Sequence, residues 1–202
     1  MRKRRTRFIQ HYELSSKTTL RVATTTTELT LHINPDNTVT VDMGCPVWEP
    51  EHIPFTAQTE ADSYALTFEQ HARVRIHTVA LGNPHAIMIV DNIDQAPVDS
   101  LGPQIETHPL FPEHTNVGFL EIDTSDHILL RVHERGTGET RACGSGAAAA
   151  AAVARRFYGL DANIRVSVPG GDLWVDWHGT TDSLKLTGPA EFVYEGKLNS
   201  TS

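Results

Sequence analysis

The feature that most restricts the possible folds is a run of six alanines within the segment 145–158, SGAAAAAAVARRFY. Alanine is the best helix former, and Gly159 follows where a helix commonly ends, so we predict a helix over 145–158. Alanine covers nearly every face of this helix, which leaves almost no amphipathic stripe. We therefore expect neighbouring strands to approach it closely, as a central helix wrapped by a curved sheet. Val153, Phe157 and Tyr158 are expected to fill its wider end.

Most of the remaining sequence is predicted to form strands. The segment 28–44, ELTLHINPDNTVTVDMG, alternates apolar and polar residues on both sides of a turn at 34–37, which is typical of a hairpin. A second, short helix is predicted over 99–106. Seven further strands are predicted over 72–80, 86–90, 116–122, 127–133, 164–168, 173–177 and 183–187. The chain is therefore expected to be rich in strands and poor in helices.

The charge of the chain limits the classes of partner. The formal net charge is −8, although five of the 17 Lys and Arg residues lie in the first seven positions, MRKRRTR. Because the rest of the chain is strongly acidic, its surface should bind phosphate poorly, and we expect no nucleic-acid partner. We interpret the basic start as a solvated end; a nucleic-acid or nuclear-targeting role is the alternative.

The apolar segments and the cysteines bear on the cellular compartment. No stretch approaches the roughly 20 apolar residues of a membrane span, and no secretory signal follows the basic start. We therefore expect a cytoplasmic protein with no membrane partner. The two cysteines, Cys45 and Cys143, are too few for a disulfide framework and lack the paired spacing of a zinc site. They are expected to serve packing or chemistry.

Cys143 stands immediately before the predicted alanine helix and is followed by Gly144, Ser145 and Gly146. The first backbone N–H groups of a helix have no partner within the helix, and the helix dipole favours anions there. A thiol in this position can have a lowered pKa, and the same N–H groups can receive a carboxylate. The alternative interpretation is that Cys143 is a small buried apolar side chain.

Other polar residues cluster at predicted strand ends. GNPH interrupts one strand, NVGF begins another, and ERGTGET ends a third. Arginine and asparagine suit a carboxylate, glutamate suits an ammonium group, and a thiol can transfer a proton. The set therefore predicts a site for a small zwitterion. The candidates are Asn83, His85, Asn116, Glu134, Arg135 and Cys143. A surface ion pair and local turn hydrogen bonds are the alternatives for the individual residues.

At these residues the sequence resembles the diaminopimelate epimerase family. The motifs GNPHA, LGPQIETHPLFPEHTNVGF, LRVHERGTGETRACGSGAAAAAA, VPGGDL and LTGPAEFVYEG follow the family's order over nearly the whole chain from about Phe8. The resemblance implies an α+β fold of two pseudo-equivalent domains, each a curved, mostly antiparallel sheet around a central helix. It also implies an isomerase that needs no cofactor and no metal and interconverts LL- and meso-diaminopimelate in lysine and peptidoglycan precursor synthesis. The resemblance further implies that two facing thiols act at Cα, one removing a proton while the other returns one.

The resemblance also implies roles for individual residues. Cys143 matches the second catalytic cysteine, and His85 with Glu134 would tune the thiols. Gly144 and Ser145 would hold the reacting carboxylate through their N–H groups, and Glu134 would contact an amino group. Three residues match positions that recognise the distal end of the substrate: Asn83, Asn116 and Arg135.

The sequence departs from the family at its beginning. The family's first cysteine lies in a Cys-Gly-Asn-Gly turn, and counting back from Phe8 places that turn at or before Met1. Cys45 follows a strand where the family keeps no catalytic thiol. We therefore expect a chain that is N-terminally truncated relative to the family and inactive as written.

The resemblance further divides the chain into domains. Residues 1–45 are expected to be a remnant of the N-terminal domain, 46–187 a complete C-terminal domain, and 188–202 a segment that returns to the N-terminal domain. Tyr194 matches a position associated with dimer packing, so a homodimer is expected.

Other functions remain open at this point. A pseudogene product or non-catalytic binding protein could retain the fold and the basic arm. Proline racemases and phenazine-pathway isomerases share the fold, but they lack the ERGTGET and GNPHA contexts. A cysteine hydrolase that uses Cys143 and His85 is less favoured, because nothing resembles a separate oxyanion arrangement.

Overall fold

The computed structural model describes residues 8–9, 11–23, 28–68, 71–179, 181–190 and 196. The chain forms two compact units, one comprising Met1–Asp42 with Thr187–Ser202 and the other Met43–Leu186. The basic start and Tyr194 lie outside the described residues, so the expectations about them stay predictions. The expected domains 1–45, 46–187 and 188–202 also stay a prediction. Among the described residues, no helix is long and apolar enough to cross a membrane.

The first unit contains an antiparallel meander of three strands. These are β1 (Thr19–Ala23), β2 (Glu28–Ile33) and β3 (Val39–Asp42). The predicted hairpin is confirmed between β2 and β3, where the Asn34 N–H donates to Thr38 O at 2.9 Å and Asn37 has a φ of 64°. Alternate residues of β2 are buried, as the alternating sequence requires. Thr187, in the same unit, bonds Thr40 side chain to side chain at 2.8 Å.

The second unit is built on a mixed sheet with two helices. The strands are β4 (Tyr64–Phe68), β5 (His71–Ala80), β6 (Pro84–Ile89), β7 (Asn116–Thr124), β8 (His127–Glu134), β9 (Gly138–Thr140), β10 (Asn163–Val168) and β11 (Gly171–Asp176). They lie in the order β11-β10-β8-β7-β6-β5-β4, and β9 pairs with β8. The β6–β7 and β8–β10 pairs are parallel, and the other pairs among these strands are antiparallel. A last strand, β12 (Lys185–Gly188), continues into the first unit. The predicted α+β class is confirmed.

Helix α1 (Val98–Glu106) covers one part of this sheet. Its residues Val98, Leu101 and Ile105 are buried in an apolar cluster with Phe111 and Phe119. Burying large apolar side chains stabilises such a contact by about 1.5–3 kcal/mol each. The helix is thereby anchored beside β7 and β8, whose ends carry predicted site residues.

Helix α2 (Gly144–Tyr158) is the alanine helix that the sequence predicts. All residues from Gly146 to Ala154 are buried, and the helix packs against β5, β6, β7, β8, β10 and β11. It ends at Gly159, whose φ of 73° gives the left-handed cap that glycine adopts without strain. The expectation of a central helix wrapped by strands is confirmed. The expectation for Tyr158 was wrong in part, because this residue is 44% exposed.

Among the strands in the described residues, β1, β4 and β9 were not predicted from the sequence. β9 has only three residues and contains Gly138, so it lacks any alternating pattern. β6 begins at Pro84, two residues before its predicted start, because Pro84 pairs with Ala80 where β5 and β6 meet. A proline is compatible with a first strand position, since its missing N–H is not needed there.

The packing of α2 predicts that it tolerates no added volume. Ala150→Leu places three extra carbons at a fully buried position, and we expect a loss of about 1–3 kcal/mol or more in the free energy of unfolding. Urea unfolding followed by circular dichroism measures this. Ser100→Leu, at an exposed position of α1, is the matched control and should change stability by less than about 0.5 kcal/mol. Equal effects of the two substitutions would contradict the enclosed position of α2.

Candidate active site

Cys143 occupies the N-cap of α2, with extended backbone angles of φ −126° and ψ 110°. Its residue surface is only 6% exposed. The sulfur lies 3.6 Å from the Ser145 hydroxyl. A Cβ added to Gly146 would stand 3.1 Å from Val132 Cγ2 and 3.4 Å from the Cys143 sulfur. The glycine therefore lets β8 and the thiol approach the first turn of the helix.

The expectation of a lowered thiol pKa is wrong for the structure as it stands. Burial raises the pKa of Cys143 above its ordinary value. The Gly146 N–H and the Ser145 hydroxyl act in the opposite direction, because they stabilise a thiolate, but the Glu134 carboxylate adds to the increase. Desolvation therefore outweighs the helix-terminus effect, and Cys143 rests in its protonated form at neutral pH.

Glu134, at the end of β8, lies beside this thiol. Its charge and a hydrogen bond to the thiol both raise the pKa of Cys143. The Thr140 hydroxyl of β9 donates to Glu134 Oε1 at 2.6 Å and orients the carboxylate. Sequence reasoning missed Thr140, since only the pairing of β8 with β9 brings it opposite Val132 and close to Glu134.

Asn83, His85, Asn116 and Arg135 form a second group, at the ends of β6, β7 and β8. His85 Nε2 lies 3.2 Å from Asn83 Oδ1, and His85 is paired with Asn116 in the parallel β6–β7 ladder. The Asn116 side chain donates to Pro84 O at 3.0 Å and accepts from the Arg135 N–H at 3.1 Å. Asn116 thus connects the ends of three strands, a role that its position at a strand start did not reveal.

His85 is completely buried and uncharged. Burial, and then the nearby positive charge of Arg135, lower the pKa of His85 to about 3. Its Nδ1 atom has no hydrogen-bond partner among the described residues. A neutral imidazole acts on its surroundings through hydrogen bonds and packing rather than through positive charge.

The segment that leads into Cys143 is held by the turn between β10 and β11. The Gly170 N–H donates to Arg141 O at 2.7 Å, and Arg141 Nη2 donates to Pro169 O at 3.2 Å. A Cβ on Gly170 would lie 2.8 Å from Arg141 O, so only glycine allows this close approach. The VPGG sequence therefore supports the thiol-bearing turn from outside the site.

The second cysteine lies in a different environment. Cys45 is exposed, and its sulfur is 3.8 Å from Thr181 O. Within the part of the chain that the structure describes, no group of three or more His, Cys, Asp or Glu side chains is arranged to hold a metal ion. The candidate site is therefore built from Cys143, its helix N-terminus and the ends of the neighbouring strands.

Comparison with known families and proteins shows the family of the chain. The family model for diaminopimelate epimerase matches residues 77–193. The diaminopimelate epimerase of Legionella pneumophila strain Paris is 52% identical over 193 residues, which cover 96% of this chain and 70% of that protein. This chain belongs to the diaminopimelate epimerase family. The family's enzyme from Pseudomonas aeruginosa strain LESB58 is 46% identical over 192 residues, 95% of this chain and 69% of that protein.

Solved structures of other isomerases share the fold of this chain. A probable proline racemase from Agrobacterium radiobacter K84 aligns with a TM-score of 0.64 at 16% identity, covering 92% of this chain and 63% of that chain. A hydroxyproline epimerase from Agrobacterium vitis aligns with a TM-score of 0.65 at 16% identity, covering 92% and 61%. Family membership identifies the chain as an amino-acid epimerase, a type of isomerase, by descent.

The state of the thiol can be tested by alkylation. We expect the pH at which Cys143 reacts at half its maximal rate with iodoacetamide to be higher in the folded chain than in urea, because burial raises its pKa. Peptide mass spectrometry over pH 6–11 measures Cys143 and Cys45 in the same sample, and the exposed Cys45 controls for reagent activity. A midpoint for folded Cys143 below that in urea would contradict the desolvated thiol.

The buried His85 predicts sensitivity to acid. Its pKa of about 3 in the folded chain lies below its ordinary value of 6.5, so the unfolded chain binds this proton more readily. Above about pH 6.5, His85 is neutral in both the folded and the unfolded chain and does not lower the free energy of unfolding. As the pH falls from about 6.5 towards 3, the free energy of unfolding decreases by up to about 1.4 kcal/mol per pH unit. Urea unfolding at pH 7.5, 5.5 and 4.5 should show a flatter dependence for His85→Gln than for the unaltered chain. The exposed His52→Gln control should keep the original slope.

Proposed function

We propose that this chain carries the Cys143 half of a diaminopimelate epimerase site, which transfers a proton at the substrate Cα. The observation that supports this most directly is the juxtaposition of Cys143 at the α2 N-terminus with the Glu134 carboxylate. Proton transfer at Cα needs an acid or base at hydrogen-bond reach together with donors for the substrate carboxylate, and a helix N-terminus supplies such donors. The reaction would interconvert LL- and meso-diaminopimelate in lysine and peptidoglycan precursor synthesis.

The reacting carboxylate would bind to the N–H groups of Gly144 and Ser145 at the first turn of α2. As the Cα proton leaves, negative charge spreads onto this carboxylate, and preorganised donors stabilise it. Cys143 rests as a thiol because burial raises its pKa, so it can give a proton to Cα as it stands. It can remove a proton from the same face of Cα only after the thiol has ionised. Glu134 stabilises that protonated form through its charge and its hydrogen bond, and it would also contact an amino group of the substrate.

The distal amino-acid end of the substrate would be recognised by Asn83, Asn116 and Arg135. These residues are already held by contacts within the protein: Arg135 Nη1 donates to Glu113 O at 2.8 Å, and Asn116 bonds to Pro84 and Arg135. Such preorganisation lowers the conformational entropy lost when the substrate binds. We further propose a cytoplasmic homodimer with Tyr194 at the dimer contact.

Inversion at Cα through two bases requires an acid or base on each face of the carbon. The chain contains two cysteines, and the exposed Cys45 lies in a different environment from the Cys143 site. We therefore propose that the 202-residue chain, alone, does not run the two-thiol reaction at the rate of a complete enzyme. A missing general acid or base costs about 10²- to 10⁴-fold in rate.

A non-catalytic binding protein is the second candidate. The raised pKa of Cys143 favours this alternative, because a thiol that stays protonated is a poor base at neutral pH. In that case the Asn83, Asn116 and Arg135 group would bind an amino acid without chemistry at its Cα.

Isotope exchange distinguishes these possibilities. We expect the chain, incubated with LL-diaminopimelate in deuterium oxide, to introduce deuterium at Cα with retention of configuration, and to form the meso isomer at least about 100-fold more slowly than the Legionella relative assayed beside it. Proton NMR measures the exchange, and chiral chromatography measures the isomer. Cys143→Ala should abolish the exchange, whereas Cys45→Ser should preserve it.

Each other outcome has a distinct meaning. Formation of the meso isomer within tenfold of the relative's rate would overturn the single-thiol proposal. Binding of diaminopimelate without exchange, unchanged by Cys143→Ala, would support the binding protein instead. Absence of both binding and exchange would refute the proposed half-site.

A further inference from the structure

Glu106, at the last position of α1, is a buried carboxylate that the proposed mechanism does not use. Its residue surface is only 7% exposed. The C-terminus of a helix carries partial negative charge, and burial disfavours an ionised group, so a carboxylate in this position needs strong compensating contacts. The structure supplies them mainly from residues 133–136.

Both oxygens of Glu106 are hydrogen-bonded to the region around the end of β8. Oε2 lies 2.7 Å from His133 Nε2, and Oε1 accepts the Gly136 N–H at 2.8 Å. His114 Nδ1 is 3.7 Å from Oε1. Burial raises the pKa of Glu106, but the Gly136 N–H, His133 and His114 together outweigh burial and lower it. The carboxylate is therefore ionised at neutral pH.

The two main partners of Glu106 flank two site residues. His133 immediately precedes Glu134, and Gly136 immediately follows Arg135. The Glu106 carboxylate thus fixes the chain on both sides of the charged pair Glu134 and Arg135. Gly136 has a φ of 71°, a left-handed conformation that favours glycine, and its N–H donates to Glu106.

Helix α1 is shaped to receive His133. Gly102 lies one turn before Glu106, and a Cβ at Gly102 would stand 2.8 Å from His133 Cγ and 2.9 Å from its Cβ. The imidazole therefore packs directly on the helix backbone at Gly102 while its Nε2 reaches Glu106. Leu101 and Ile105 anchor the helix in the apolar cluster described above, so this contact is rigid.

We propose that Glu106, acting through His133 and the Gly136 N–H, is a positioning residue that holds Glu134 against Cys143 and fixes Arg135 for the substrate. The proposal rests on the proposed role of the Cys143 and Glu134 pair. The contacts of Glu106 with residues 133–136 can nevertheless be tested without any substrate.

The first measurement is amide hydrogen exchange by NMR. Glu106→Ala removes the acceptor of the Gly136 N–H, and we expect exchange at Gly136 to accelerate by about 10- to 100-fold, as for loss of a hydrogen bond to a charged acceptor. Glu106→Gln keeps an acceptor of the same size and should give a smaller increase. Asp99→Ala, which removes an exposed carboxylate from the same helix, should leave Gly136 unchanged.

The second measurement is the alkylation rate of Cys143 at a fixed pH of 8. Displacing the Glu134 carboxylate from the thiol should increase this rate by about three- to tenfold in Glu106→Ala. Glu134→Gln should give a similar increase. The double substitution should then react no faster than Glu134→Gln alone, because Glu106 acts through Glu134. A general loosening of the fold would instead make the two effects multiply.

Gly102→Ala provides an independent variant if Glu106→Ala fails to fold. It leaves the carboxylate intact and displaces the His133 ring, and it should raise both the Gly136 exchange and the Cys143 alkylation in the same direction. Unchanged Gly136 exchange in Glu106→Ala, or multiplicative alkylation effects in the double variant, would overturn the positioning role. Neither result depends on whether the chain exchanges the Cα proton of diaminopimelate, so the two proposals fail separately.

Discussion

The structure of the second unit depends on the burial of a helix made almost entirely of alanine. A helix with side chains this small offers little apolar area of its own, and it is stabilised by packing on many sides rather than along one stripe. Six strands meet α2, and every residue from Gly146 to Ala154 is buried. Because the sheet encloses the helix, the N-terminus of α2 is held in one place, and the turn before it carries Cys143.

The enclosure that places the thiol also determines its chemistry. A helix N-terminus favours a thiolate, whereas removal from water favours the thiol, and at Cys143 the second effect dominates. Glu134 adds negative charge beside the sulfur and strengthens the preference for the protonated form. In the proposed reaction, a positive substrate amino group at Glu134 would offset this negative charge and shift the balance towards the thiolate, since an opposite charge nearby favours ionisation.

The parts of the fold that sequence predicted are those with a strong local pattern. The alanine run and Gly159 define α2, and the alternating segment around the Asn34 turn defines a hairpin. β9 was missed because three residues with a glycine carry no pattern, and it exists only by pairing with β8. The same limit applies to the site: Thr140 and Glu106 are ordinary polar residues until the tertiary structure brings them to Glu134 and Gly136.

The sequence by itself determined the identity of the chemical groups: one thiol before a helix, glycines beside it, and motifs that resemble the diaminopimelate epimerase family. It also determined that α2 must be enclosed, since alanine on every face excludes a surface helix. Only the tertiary structure decided the protonation states of Cys143 and His85, because desolvation depends on what surrounds a group rather than on its neighbours in sequence. The anchoring of the Glu134 segment by Glu106 was decided in the same way, by contacts between residues about 30 positions apart.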